Sequence, residues 1–159
     1  MARYAVKTTV SSEKSRCEIE RTLERYGATS FVYGNERGRA RIAFEMYDRR
    51  ILFVLMLPKQ DAKEFVEVRR YGRTVKRHAD AAYKLWEQAC RQRWRALALV
   101  VKAKLESVVA GIATFEEEFL AHIVLPDGKT VGEFMLPQVA IAYEQHRMPP
   151  MLPYLGDRK

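Results

Sequence analysis

The chain has 159 residues, and its 28 Lys and Arg against 20 Asp and Glu give a net charge of +8 and a pI near 9.6. That length suits one domain, residues 1–159, with a core of its own, and 48% hydrophobic with 30% charged residues excludes a disordered or collagen-like chain. The longest apolar run, Ile51 to Leu57, is too short to span a bilayer. No apolar stretch follows the first residues, and Cys17 and Cys90 lie in no motif, so a reduced, cytoplasmic protein without membrane association is expected.

Ser11-Ser12 offers a helix N-cap, Glu13 places an acid in the first turn, and Ile19, Leu23 and Tyr26 follow on one stripe until Gly27 stops the helix. Strands come next. Phe31-Val32-Tyr33 is a short apolar run. From Ala40 to Met46 the pattern alternates, with Ala40, Ile42, Phe44 and Met46 facing in. Tyr47-Asp48-Arg49-Arg50 makes a tight turn. Ile51 to Leu57 is apolar on both faces, which predicts a central or doubly covered strand. Phe65 to Tyr71 reads as a fourth, edge strand, and Gly72-Arg73-Thr74 as a loop.

From about His78 to Ala110 no Gly or Pro interrupts a run rich in Ala, Leu, Lys, Arg and Glu, which predicts one long helix closed by Gly111. Thr114-Phe-Glu-Glu117 and Thr130-Val-Gly-Glu133 are capping boxes for two further helices, the second carrying Pro137 as a kink or restart. Residues 148–159 read as an extended Pro-rich tail. The expected fold is α+β: a small antiparallel sheet of three to four strands packed on one long helix, with an N-terminal helix and short C-terminal helices.

Around the long helix, Ala79, Ala82, Tyr83, Trp86, Cys90, Trp94, Leu97, Val101, Leu105 and Val108 fall on one apolar face, so both tryptophans are expected in the core. The opposite side carries Arg77, Lys84, Arg91, Arg95 and Lys102 with Gln88. A row of one sign repels itself and calls for an anionic partner, either nucleic acid or acids of this chain such as Glu116, Glu117 and Glu118. Arg93 and Lys104 sit on the flank of the apolar face, where their stems cover apolar surface or their heads line a groove. Dense cationic patches also fall at Arg49-Arg50 and from Arg69 to Arg77, with Tyr47 and Tyr71 interleaved, a pattern that suits phosphate contacts and base stacking.

The chain has no phosphate-binding Gly-rich loop, no nucleophile elbow and no Cys-x-x-Cys pair, and no cofactor is expected. Glu118 and His122 have helical i,i+4 spacing, with Asp127 and Glu133 soon after, and could hold a divalent cation. The alternative is that Glu117 caps, Glu116 and Glu118 answer the helix dipole or the basic row, and Asp127-Gly128 makes a turn; no bound metal is expected.

The run Arg91-Gln-Arg-Trp-Arg-Ala-Leu97, then Lys102-Ala-Lys-Leu-Glu106, then Phe115-Glu-Glu-Glu-Phe-Leu-Ala-His-Ile-Val-Leu-Pro-Asp-Gly128, resembles a family of small bacteriophage and prophage proteins. Arg25-Tyr-Gly27 and Met148-Pro-Pro-Met-Leu-Pro153 fit it too. The resemblance implies a bacterial cytoplasm and a phage or mobile-element setting, and no activity. The order helix, strands, helix also looks like that of double-stranded-RNA-binding domains and of phage single-strand annealing proteins.

The function expected is non-catalytic nucleic-acid binding, DNA rather than RNA, in phage replication or recombination. Lys84, Arg91, Arg95 and Lys102 would contact phosphates, and Arg49, Arg50, Arg70, Tyr47 and Tyr71 would extend the surface. Two alternatives are an inhibitor or adaptor that binds a host protein through the basic face, and a metal-dependent nuclease built on Glu118.

Overall fold

The computed structural model describes residues 5, 7–36 and 38–147. Helix α1 (Ser12–Arg25) starts where the Ser11 hydroxyl accepts the Lys14 N–H, and it buries Ser15, Ile19 and Leu23. Gly27, at φ +94°, turns the chain out of the helix, a conformation in which a Cβ is costly.

Strands β1 (Ser30–Glu36), β2 (Arg39–Met46) and β3 (Arg49–Met56) form an antiparallel sheet in that order. The alternation in β2 is as expected: Ala40, Ile42, Phe44 and Met46 are buried and Arg41 is exposed. β3 departs from expectation. It is an outer strand, with β2 central, and Val54 and Met56 stand exposed. Its apolar residues divide between two roles. Ile51 and Phe53 enter the core, while Leu52 lines up across the open face with Ala43 and Val32. Cross-strand apolar pairs of this kind stabilise a sheet without a second covering layer. The outer edge of β3 is closed at one end, where the Val124 N–H donates to the Arg50 carbonyl.

The expected fourth strand is also corrected. Lys63–Val66 forms one helical turn, α2, that buries Phe65. Then β4 (Glu67–Arg70) pairs with β5 (Arg73–Lys76) as a separate two-stranded ribbon. Gly72-Arg73-Thr74 is therefore no loop. Tyr71 and Gly72, at φ +50° and +77°, make a two-residue turn whose twist matches that of the strands it joins.

Helix α3 (Ala79–Val109) is the longest element. It buries Ala82, Cys90, Trp94, Leu97, Ala98, Val101 and Leu105. Trp94 is 3% exposed, in line with expectation. Trp86 is only half-buried, outside the cluster that joins α3 to the sheet, with its indole donating to the Pro58 carbonyl at 2.8 Å and Tyr83 and Leu85 exposed nearby on the helix. Contacts between α1 and α3 climb both sequences together, from Thr8–Gln88 through Glu18–Arg95 to Tyr26–Glu106, so the two helices run side by side in the same direction.

Both capping boxes form. Thr114 opens α4 (Phe115–Phe119) and Thr130 opens α5 (Val131–Gln145), each with its glutamate reaching back to the cap N–H. Phe115 and Phe119 close one end of the core, Phe119 meeting Phe44 and Phe53 edge-on. The turn Leu120–His122 follows. α5 runs through Pro137 without restarting, although proline there has no N–H to give the Glu133 carbonyl. The tail expected over residues 148–159 lies outside the described residues.

Candidate nucleic-acid interface

The basic row of α3 is not one open surface. α1 lies along it. Arg95 donates from Nη1 to the Glu18 carboxylate, Gln88 donates to the Thr8 carbonyl at 3.0 Å, and Arg91 reaches Glu87 at 3.4 Å. The side chains of Arg91 and Arg95 keep only 26% and 27% exposure. Arg77 is tied to the carbonyls of Phe65 and Glu67 at 2.9 and 3.2 Å. Of the expected phosphate contacts on this helix, Lys84 and Lys102 are exposed, Arg95 is held to α1 by Glu18, and Arg91 is half-buried beside Glu87 of its own helix, its Nε buried without a hydrogen-bond partner among the described residues.

The acids paired with members of the row are Glu18, with Arg95, and Glu87, with Arg91, not Glu116 to Glu118. Glu117 caps α4, and the hydrogen bonds from Thr114 hold its carboxyl below the usual carboxylate range. Glu118 accepts from Ser107 at 2.7 Å and from Lys104 at 3.2 Å, and those bonds lower its pKa in the same way. Glu116 lies 3.9 Å from Arg49. Lys104 thus reaches a carboxylate across the Phe119 ring rather than open water, whereas Arg93 is exposed and donates to the Met56 carbonyl.

The residues named in the sequence as possible metal ligands have other partners in the fold. Glu118 is taken by Ser107 and Lys104, and Glu133 by its cap. Asp127 accepts the Lys129 N–H in the turn. His122 stacks on Phe53 with ring centroids 4.1 Å apart, and burial pushes its pKa down. Among the described residues no three His, Cys, Asp or Glu side chains are grouped to hold a metal ion.

The two tyrosine turns differ. Tyr47 and Asp48 sit at φ +50° and +57° between the facing residues Met46 and Arg49, and the Tyr47 ring packs against Phe115 at 5.1 Å. Arg50 pairs with Glu45 at 2.9 Å. Tyr47, Arg49 and Arg50 therefore all have partners within the fold. Tyr71 occupies the same place in its turn with the same backbone angle, but it is fully exposed. A positive φ is costly for a bulky side chain, and Asn or Asp would fill that position more cheaply. The fold gives Tyr47 a packing role and gives Tyr71 none.

The ribbon around Tyr71 concentrates charge. Arg69, Arg70, Arg73 and Lys76 are exposed, and none makes an ion pair with a described residue. Arg70 and Arg73 face each other directly across the two strands beside the turn. Like charges in directly opposed positions destabilise a ribbon. Only Glu67, at its far end opposite Lys76, carries the other sign. The sequence pointed to Arg70 and Tyr71, but it missed their pairing with Arg73. The signal that finds it is Tyr71-Gly72 as a two-residue turn ending in Gly, which fixes the register of its flanks.

No helix among the described residues is long and apolar enough to cross a membrane. Comparison with family models, with curated proteins and with solved structures finds no match.

Proposed function

We propose that the protein binds nucleic acid without catalysing a reaction on it, that DNA is the target, and that the β4–β5 ribbon makes the central contacts. The opposed Arg70–Arg73 pair carries this reading. It is a pair of cations with no acidic partner among the described residues, at the tip of an exposed ribbon, beside an aromatic side chain in a costly conformation. Each feature disfavours the free protein slightly, and an anionic, base-bearing ligand compensates all three. Guanidinium groups take phosphates and Tyr71 offers an open ring face for a base. Arg69 and Lys76 add exposed charge on the other face of the ribbon, and Lys84 is exposed on α3. The resemblance in the sequence suggests only a phage or mobile-element setting, and replication or recombination is the use of such binding that we propose there.

Fluorescence anisotropy with a labelled oligothymidine strand and a labelled duplex tests the proposal. Stacking of one base contributes about 1–3 kcal/mol, so Tyr71→Ala weakens single-strand binding about 5- to 150-fold. Tyr71→Phe keeps most of the affinity. Wild-type protein that binds neither DNA form at about 0.1 M salt overturns it.

A further inference from the structure

Three features lie apart from the ribbon: an open groove beside Tyr47 and Arg50, an uncovered sheet face around Val32 and Val54, and helix α5. In the first, Glu45 and Arg50 already pair with each other, and nothing on the second indicates what covers it. α5 carries more. Gly132 is its one buried residue, pressed against Ala121 on the preceding turn. Further along, Leu136 is 67% and Tyr143 80% exposed, with Val139 and Ala140 exposed between them. At 100° per residue Leu136, Ala140 and Tyr143 form one stripe, with Val139 on its flank. An uncovered apolar stripe on a helix marks an interaction surface.

We propose that α5 is a self-association helix and that its partner is α5 of a second copy, packed antiparallel about a two-fold axis near Val139 and Ala140. Three observations fit this occupant. Leu136 and Tyr143 are equally far from that centre, so each meets the other's counterpart in the second copy. Ala140, small and central, lets the two backbones approach. Glu133 at the start of the helix, with one carboxylate oxygen in the cap and the other free of it, and Arg147 just beyond its end are both exposed and of opposite sign, and only an antiparallel pair brings each beside its complement. This self-complementarity is what a two-fold interface requires. The contact is short, since a 15-residue helix is about 22 Å long, so the dimer dissociates at low concentration. It places two ribbons on one particle, and it rests on none of the residues assigned to nucleic-acid binding.

Sedimentation velocity over a range of concentrations and cysteine cross-linking of the full chain test it. The wild type forms a concentration-dependent dimer, and Leu136→Glu, at an exposed position, stays folded and monomeric. In a Cys17→Ser background, Val139→Cys cross-links to itself under mild oxidation. Tyr143→Cys does not, but it cross-links when mixed with Leu136→Cys. A monomeric wild type at all concentrations overturns the proposal. So does a dimer that Leu136→Glu leaves intact, or self-cross-linking of Tyr143→Cys as efficient as that of Val139→Cys, which indicates parallel helices. Dimerisation that appears only after deletion of residues 148–159 also overturns it, because the tail then covers the stripe.

Discussion

Arg95 on α3 donates to the Glu18 carboxylate on α1, joining two residues 77 positions apart in the sequence. This one contact changes what the basic side of α3 is. Seen along the helix alone, Arg91 and Arg95 are surplus positive charge. With α1 beside it Arg95 belongs to a seam between parallel helices, closed at its far end by Tyr26, which donates to Glu106 at 2.5 Å, while Arg91 pairs with Glu87 along α3 itself. That hydrogen bond to a carboxylate also raises the Tyr26 pKa. Tyr33 and Trp94 lie beneath the same seam, with the Arg16 guanidinium over both rings.

The first prediction follows from that seam. Arg95→Gln lowers stability by about 1 kcal/mol, the range of a partly exposed ion pair. Glu18→Gln costs a similar amount, and the double variant costs less than the two added together, because neither partner is left alone. DNA affinity stays within about twofold throughout. Urea melts of the three variants check the coupling. Strong loss of DNA binding in Arg95→Gln with unchanged stability returns this arginine to the interface.

How far the sequence discloses this arrangement depends on the range of the interaction. The caps at Ser11, Thr114 and Thr130, the alternation from Ala40 to Met46 and the extent of α3 are local, and each is legible from residues a few positions apart. The pairing of Arg95 with Glu18 and of Lys104 with Glu118 is not, since periodicity ranks faces of one helix and says nothing about which neighbour covers them. Ile51 to Leu57 shows the same limit. An apolar run fits a central strand or an outer strand with an open face, and only the order of the sheet separates them. Of the candidate site, Arg70 and Tyr71 were visible as a patch, and their meaning came from cross-strand register.

The core makes a second prediction. Trp94 is buried against Tyr33, with ring centroids 5.7 Å apart, and it stands among the residues that join α3 to the sheet. Trp94→Ala leaves a large void and costs about 3–5 kcal/mol. Trp86→Ala costs clearly less, because that ring is half-exposed and loses one hydrogen bond to Pro58. Equal losses in thermal melts of the two variants contradict this placement.

Gly132 gives a third. A Cβ there stands 2.7 Å from the Ala121 carbonyl oxygen, a backbone atom that cannot swing aside. Helix propensity favours Ala over Gly by about 1 kcal/mol, whereas forcing a methyl into a closed contact costs about 1–3 kcal/mol. The clash wins, so Gly132→Ala is destabilising despite its helical site. A raised melting temperature in this variant shows that α5 sits further from the Leu120–His122 turn.

His122 sets a fourth, in pH. Burial against Phe53 lowers its pKa, with help from the Lys104 charge, so the folded protein keeps the imidazole neutral. The unfolded chain protonates near the ordinary value of about 6.5. Below that pH the unfolded state binds the extra proton first, and stability falls until the folded-state pKa is also passed. His122→Phe keeps a ring on Phe53 and removes the titration. The loss of stability between pH 7.5 and 5 is therefore smaller in the variant, as measured by urea melts at the two values. An identical loss in both proteins assigns the acid sensitivity elsewhere.

The ribbon supplies the last prediction, in which stability and binding move in opposite directions. Each phosphate neutralised contributes about −0.7 for a single strand and −0.9 for a duplex to the slope of log affinity against log salt. Replacing Arg70 and Arg73 together by Gln removes two such contacts, so the slope flattens by roughly 1.4 to 1.8 and affinity falls for every sequence alike. Folding does not suffer. The two side chains are exposed and face each other across β4 and β5, and relieving a like-charge pair returns about 0.2–1 kcal/mol. The double variant therefore melts at or slightly above the wild-type temperature while it binds less tightly. Replacing Arg91 and Arg95 by Gln does the reverse, lowering the melting temperature and leaving the salt slope unchanged. Anisotropy titrations at several salt concentrations, with thermal melts on the same preparations, separate the two pairs. A slope that follows Arg91 and Arg95 instead moves the interface from the ribbon back to the long helix.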